Sequence, residues 1–269
     1  TLEEDVVQNG DFSELGSELV VNGDFATDSD WNTTLGGVIV GGQMVLDSAL
    51  SANPRTDQYK DTAYDLGSTF ELTVDIISNT TGVPLSLYPS TNAAHDTNLN
   101  IGSSVGTHTI TFVSNYSSGN GKLLVLRALS SVGSCVIDNI SVKQVDPNDD
   151  WALGTGWSIG DDKAIANIAG YIDLKQNLVF DIDKTYIVSI QTLESNSGVL
   201  RFYTGSTLVD ITSVDTHIFT ITAEAVNFVL SSSSAGFIGS ISNITVTEIT
   251  QSDHGGLVIG ATYVDKQPT

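Results

Sequence analysis

The chain has 269 residues, 40% of them hydrophobic, with 10 Lys and Arg against 32 Asp and Glu and a net charge of −22. That length suits about two domains, each large enough to bury a core, and the apolar fraction excludes a disordered tail. So negative a field excludes nucleic acid as a partner and disfavours anionic membranes, and without a run of about eighteen apolar residues no inserted membrane helix is expected.

The first five residues, Thr1-Leu2-Glu3-Glu4-Asp5, are acidic and lack the apolar stretch of a secretory leader. Export then rests on a leader already removed or on another route, such as virion assembly followed by cell lysis. A short motif, Asn9-Gly10-Asp11-Phe12, comes next and returns at once as Asn22-Gly23-Asp24-Phe25. The first copy has no room for a sandwich of its own, so residues 1–17 read as a connector or shaft. Beyond Trp31 the chain shows almost no helix signal. Alternating strands follow at Phe70-Glu71-Leu72-Thr73-Val74-Asp75-Ile76, at His108-Thr109-Ile110-Thr111-Phe112-Val113 and at Ile137-Asp138-Asn139-Ile140-Ser141-Val142. Gly, Asn, Ser and Asp clusters punctuate them, as an all-β fold requires. Asn120-Gly121 predicts a hairpin turn. The single cysteine, Cys135, has no disulfide partner and reads as a buried strand thiol, which leaves the redox compartment open.

The polar run Val145-Asp146-Pro147-Asn148-Asp149-Asp150 marks a boundary, after which the same landmarks recur in order. Asp30-Trp31 matches Asp150-Trp151, Leu87-Tyr88 matches Phe202-Tyr203, and the strand holding His108 matches the one holding His217. The closing strand at 137–142 matches Ile241-Ser242-Asn243-Ile244-Thr245-Val246. Duplication at a period of about one sandwich is the economical explanation. It predicts one sandwich over 18–146, a second over 147–249, and a C-terminal connector over 250–269 containing Gly255-Gly256 and Gly260.

The order Asn22-Gly23-Asp24-Phe25, Trp31 and the closing strand Ile137-Asp138-Asn139-Ile140-Ser141-Val142 resembles the jelly-roll carbohydrate-binding modules found beside xylanases and glucanases. The resemblance spans the first repeat; the second shares only its Trp, central strands and closing strand. The wording of residues 18–31, preceded by a degenerate copy, and that of residues 151–160 are similar to repeats common in bacteriophage virion proteins. The resemblance implies an all-β fold of two tandem jelly-roll β-sandwiches. It also implies a non-enzymatic virion surface protein (a fibre, head decoration or tail adhesin) that attaches to host-surface glycan or acts as a spacer among other virion proteins. The alternative is the carbohydrate-binding region of a secreted bacterial adhesin or polysaccharide-degrading enzyme. Either places the chain outside the cell. A homo-oligomer is expected, because a connector such as 1–17 buries little surface alone.

In the resembling modules a structural Ca²⁺ pins the N-terminal segment to the last strand, and calcium takes six to eight oxygen ligands. Asp24 and Asp138 sit at the motif positions, with Asp47 as a third ligand from the next strand. Ala26 stands where a Glu is expected. In the second repeat Ser242 replaces the Asp and no Asn-Gly-Asp-Phe precedes Trp151, so Ca²⁺ is expected in the first domain only. For sugar, strand alternation puts Ser86 with Tyr88, and Arg201 with Tyr203, on the face opposite the apolar pairs Leu85/Leu87 and Leu200/Phe202, with Arg127 joining from another strand. An ordinary solvent face or a subunit interface accounts for the same residues. Trp31, Trp151 and Trp157 read as core. His108 and His217 read as a shared structural pair, such as a cross-strand hydrogen bond. No nucleophile elbow, His-Glu-x-x-His zinc motif or phosphate loop is present. The Asn-x-Ser/Thr sequences at Asn32, Asn79, Asn115, Asn139 and Asn243 arise by chance in so Ser/Thr-rich a chain.

Overall fold

The structure is a computed structural model that describes residues 2–60, 68–88, 99–114, 122–128 and 130–250. The described residues form eighteen β-strands and no helix. They divide into two units. One is residues 15–147, and the other joins residues 1–14 to the chain from 148 onward. Each is a two-layered jelly-roll sandwich.

In the unit of residues 15–147, the first sheet runs β2 (Gly37–Val40), β3 (Gln43–Asp47), β10 (Ser134–Gln144), β5 (Thr69–Asn79) and β8 (Gly106–Val113). The second runs β4 (Arg55–Lys60), β9 (Lys122–Ala128), β6 (Leu85–Tyr88) and β7 (Leu99–Gly102). Strict alternation builds the core between them: Phe70, Leu72, Val74 and Ile76 point in from β5, and Leu85 and Leu87 from β6. On β10 the inward positions change parity, from Cys135 and Ile137 to Ile140 and Val142. The extra residue is Asn139, at φ 49°, where the register with β5 shifts. This is a β-bulge, and asparagine is among the few residues at ease in that left-handed backbone.

The other unit contains β1 (Leu2–Asp5), β11 (Ala152–Leu153), β12 (Trp157–Gly160), β13 (Lys163–Ile168), β14 (Asp173–Gln176), β15 (Thr185–Thr204), β16 (Thr207–Ile211), β17 (Thr216–Thr222) and β18 (Phe228–Ile249). Here β15, of 20 residues, and β18, of 22, run without a break through both layers. Their bulges let each strand bend from one sheet into the other. Asn243, at φ 49°, repeats the bulge of Asn139, and the buried positions again change parity, from Ile241 to Ile244.

Residues 1–14 are not the connector expected from their length. Strand β1 pairs with the end of β18, Leu2 opposite Ile249 and Asp5 opposite Thr247. Phe12 is 2% exposed and packs on Trp151 at 5.1 Å between ring centroids. Trp151 donates its Nε1–H to the Asn9 carbonyl at 2.9 Å. The copy of the motif missing before Trp151 is thus supplied from the chain's start, and the sandwich of residues 15–147 is inserted into the other. The physical reason is burial: the pocket beside Trp151 needs an aromatic ring, and Phe12 fills it. Of the segment 250–269, only Thr250 lies within the described residues, as do neither Asn120-Gly121, His95 nor His254.

Candidate functional site

Two locations carry the candidate chemistry, and each occurs once per sandwich. The first is the closure, where the Asn-Gly-Asp-Phe turn docks on the closing strand. Ile140 donates its N–H to the Gly23 carbonyl at 2.9 Å, and Ile244 does the same to Gly10 at 2.8 Å. Both glycines lie flush against that strand; a Cβ would stand 2.0 Å from the Ile140 or Ile244 carbonyl oxygen. The following aromatic sits beside the Trp, Phe25 at 5.3 Å from Trp31. An acid ahead of each turn caps the closing strand: Glu18 accepts the Val142 N–H at 2.9 Å, and Asp5 accepts that of Val246 at 2.8 Å.

The three carboxylates expected to hold calcium are not brought together. Asp47 lies opposite Ser134 on β10, four residues from Asp138 and so roughly 13 Å away at the rise of a strand. Its Oδ1 instead accepts the Ala49 N–H at 2.9 Å and closes a turn. Asp24 is exposed and its Oδ1 accepts the Ala26 N–H at 3.3 Å, while Asp138 Oδ1 accepts the Asn139 N–H at 2.8 Å. The oxygens of all three do not gather within 4.8 Å. Asp24 and Asp138 nevertheless occupy the two segments that dock at Gly23 and Ile140. In the other sandwich Ser242 holds the place of Asp138, and its Oγ lies 2.8 Å from the Asp162 carbonyl and 3.3 Å from that of Asp11.

The second location is the outer face of the sheet opposite the closure. Across this face of the 15–147 sandwich one row of paired residues reads Arg55, Arg127, Ser86, with Asn100 next on β7. The equivalent row in the other sandwich reads Asp173, Ser231, Arg201, Asp210. An Arg–Ser cross-strand pair stands at the same place in both, with the two strands exchanging roles. One pleat further along the same strand come Tyr88 and Tyr203, opposite Val125 and Val229. In the second sandwich the burial follows the alternation read from sequence: Leu200 and Phe202 are buried, and Arg201 and Tyr203 are half-buried; in the first, Leu85, Ser86 and Leu87 are all buried. The Tyr88 side chain lies outside the described part. Arg201 is held firmly. Its hydrogen bond with Tyr203 and its ion pair with Asp210, Nε to Oδ1 at 2.8 Å, raise its affinity for its proton.

Sequence reasoning missed Arg55 and Asp210, both of which become visible only once strand register is known. The chain has three arginines, at 55, 127 and 201; two fall in the row of the 15–147 sandwich and one in the equivalent row of the other. The histidines His108 and His217 do share a role, but not across strands. Each donates Nε2–H to the carbonyl of the serine four residues earlier, Ser104 at 2.8 Å and Ser213 at 2.9 Å. Cys135 is buried as expected, and burial pushes its thiol up to about 12. Trp31, Trp151 and Trp157 are core residues. Among the described residues no helix is long and apolar enough to cross a membrane.

No protein-family model and no curated protein matches the chain. Among solved structures it is similar to the N-terminal CBM22-1–CBM22-2 tandem of Paenibacillus barcinonensis Xyn10C, at 9% identity over 88% of this chain and 99% of that one, with a TM-score of 0.36. It is similar also to allantoicase from Saccharomyces cerevisiae, at 10% identity, 91% and 92% coverage and a TM-score of 0.31. A third similar structure is that of the triple jelly roll and turret assembly in an archaeal virus, at 12% identity, 79% and 56% coverage and a TM-score of 0.24. The printed descriptions of these three proteins name a module tandem, an enzyme and a viral assembly, so they select no function among themselves. The all-β, jelly-roll sandwich fold is established by the sheets of this chain itself.

Proposed function

We propose that the chain is a non-enzymatic glycan-binding protein, displayed on a virion surface, that attaches through the outer face of the arginine-bearing sheet to sugar on a host cell. The observation that carries this reading is Arg201, held half-buried between Tyr203 and Asp210 on the outer side of its sheet. A guanidinium fixed in one orientation loses little entropy on binding, and its flat fork donates two parallel hydrogen bonds to adjacent hydroxyls. A tyrosine beside it offers an apolar ring with a polar edge, the mixture that sugar sites use. Calorimetric titration of the whole chain with neutral and acidic polysaccharides tests the reading. Arg201→Ala and Tyr203→Ala should each weaken binding about ten-fold, at an unchanged melting temperature, since ~1.4 kcal/mol is tenfold. A wild-type chain that binds no glycan overturns it. Immunolabelling of purified particles tests the virion placement; label found only in the culture fluid favours a secreted module instead.

Calcium in the first sandwich belongs to the same proposal, with a reduced ligand set. In the second sandwich the Ser242 hydroxyl can donate a proton to the carbonyl of Asp11 on the docked turn or of Asp162 in the turn between β12 and β13. A carboxylate cannot, so Asp138 at that position, together with the Asp24 carbonyl, would hold a calcium ion. Asp47 takes no part. Calcium should raise the melting temperature of the wild type but not of Asp138→Ser. Equal response of the two, or none in either, removes the site.

A further inference from the structure

The last strand of a sheet turns a row of N–H and C=O groups outward, ready to pair with another chain, and folded proteins blunt such edges with charge, proline, bulges or brevity. Most edges of this molecule are blunted. β1 carries Glu4 and Asp5, β4 carries Arg55 and Asp57, and β16 carries Asp210. β2, β7 and β12 are four residues long. β8 and β17 differ. They hold matching places in the two sandwiches and, among the described residues, each pairs with one strand only, β5 or β15. At 8 and 7 residues they are the longest edges, and neither contains an acid, a lysine, an arginine or a proline. Their registers run without a shift, so no bulge turns either edge away. The bonds at the two ends of β17 fix which groups face out. Thr192 donates its N–H to the Asp215 carbonyl and Ala223 donates to that of Lys184, both at 2.9 Å. Antiparallel bonding alternates, so His217, Phe219 and Ile221 bond back to β15, while Thr216, Ile218, Thr220 and Thr222 turn their backbone outward. Those residues are exposed, Ile218 at 69%.

The neighbouring strands separate the two edges. Glu71 and Asp75 on β5 stand directly beside Thr111 and Thr107 of β8, so a second copy meeting β8 would bring carboxylates toward carboxylates. Beside β17 the matching places on β15 are Thr185, Ile187, Ser189 and Gln191, and Thr245 and Thr247 follow on β18. In a chain of net charge −22, this face is uncharged three strands deep. A copy of the chain can approach there without setting like charges against each other, whereas a basic partner gains nothing from so neutral an edge. We infer that β17 is a homodimer edge: two copies pair antiparallel about a two-fold axis at Phe219, and the sheet continues from one molecule into the other. The same patch serves both partners, as two-fold symmetry requires. In that register Ile218 faces Thr220 of the second copy and Thr216 faces Thr222, both in hydrogen-bonded positions. His217 faces Ile221, and Asp215 falls opposite Ala223. The two Phe219 rings meet at the axis. Each is half-buried and packs on Phe202 at 5.3 Å, so their meeting extends the aromatic core across the interface. β17 borders the layer of the closing strand, so pairing there leaves the layer that carries Arg201 untouched.

Sedimentation equilibrium of the whole chain at low and high salt tests the inference. The wild type should pass from monomer to dimer at micromolar concentration, the strength of a small interface. Added salt should strengthen the dimer, because it screens the repulsion between two acidic molecules. Ile218→Lys puts a charge on an exposed edge position and should weaken dimerisation about ten-fold or more at an unchanged melting temperature. Thr109→Lys, the same change at the matching place on β8, should leave dimerisation as it was. The double variant Ile218→Cys with Thr220→Cys should form a covalent dimer on mild oxidation, since residues in a hydrogen-bonded antiparallel pair stand about 5.5 Å apart, within disulfide reach. Cys135 is buried and does not compete. A wild type that stays monomeric at millimolar concentration overturns the inference, even where β17 accepts a strand from another protein. A dimer that withstands Ile218→Lys, or that salt dissociates, overturns this edge as its seat. Failure of the double variant to cross-link overturns the register about Phe219.

Discussion

The two sandwiches solve one structural problem with segments drawn from very different distances along the chain. In the 15–147 unit, Trp31 bonds to the carbonyl of Asn22, nine residues away; in the other, Trp151 bonds to that of Asn9, 142 residues away. The same contacts recur in both: the glycine pressed on the closing-strand carbonyl and the aromatic beside the Trp. A flexible loop lengthened from nine to 142 residues would cost about 2 kcal/mol more to close. The intervening chain is not a flexible loop, however. Leu15 and Val145 form a β-bridge, so the inserted sandwich enters and leaves at one point. Once it has folded, the remote segment is delivered to its partner as if by a short turn.

This account is easiest to break at the two phenylalanines. Phe12 and Phe25 are both about as buried as a residue can be, at 2% and 1% exposure. Truncating such a ring to alanine typically costs ~3–5 kcal/mol. Phe12→Ala should lower one calorimetric transition, that of residues 148–250, and leave the inserted sandwich untouched. Phe25→Ala should lower both, because an unfolded insert restores the entropic cost of the long loop. If Phe25→Ala lowers only one transition, the insert does not serve as the clasp of the outer sandwich.

Much of this architecture was open to sequence reasoning. The alternation of β5, the core tryptophans, the matched closing strands and the outward pair Arg201 and Tyr203 all follow from period-two patterning, which is a local property. What escaped was non-local. Residues 9–12 looked like a degenerate repeat with nothing to close, yet the signal was there: two copies of the turn, two tryptophans to receive them, and only one copy placed before a tryptophan of its own. Asp47 reads in the sequence as a third ligand from the next strand, but antiparallel register places it opposite Ser134 and carries it away from Asp138. Arg55 has no motif around it, and only its pairing with Arg127 gives it meaning. The parity change at Asn139 and Asn243 was equally hidden, since a bulge residue reads as one more polar strand position until its left-handed backbone is seen.

The bulges also provide the finest distinction between the sandwiches. Asn139 donates its side-chain N–H to Asp75 at 2.8 Å, and Thr107 donates to the same carboxylate at 2.6 Å. Those two bonds, Thr107 first, hold Asp75 below its ordinary value of 3.8. In the other sandwich Asn243 donates instead to Gln191, an amide that does not titrate. A carboxylate favoured by the fold adds stability that is complete above its unfolded pKa and is lost as pH falls through the lowered folded value. The inserted sandwich should therefore weaken between about pH 5 and pH 2 by an amount that Asp75→Asn removes, while the same substitution leaves the pH response of the 148–250 transition unchanged. Because water screens the group, the difference should be small, roughly a few tenths of a kcal/mol. It is best read as the gap between wild-type and variant melting curves across that range. Parallel curves would mean that the asparagine of the bulge binds Asp75 without preferring its charged form.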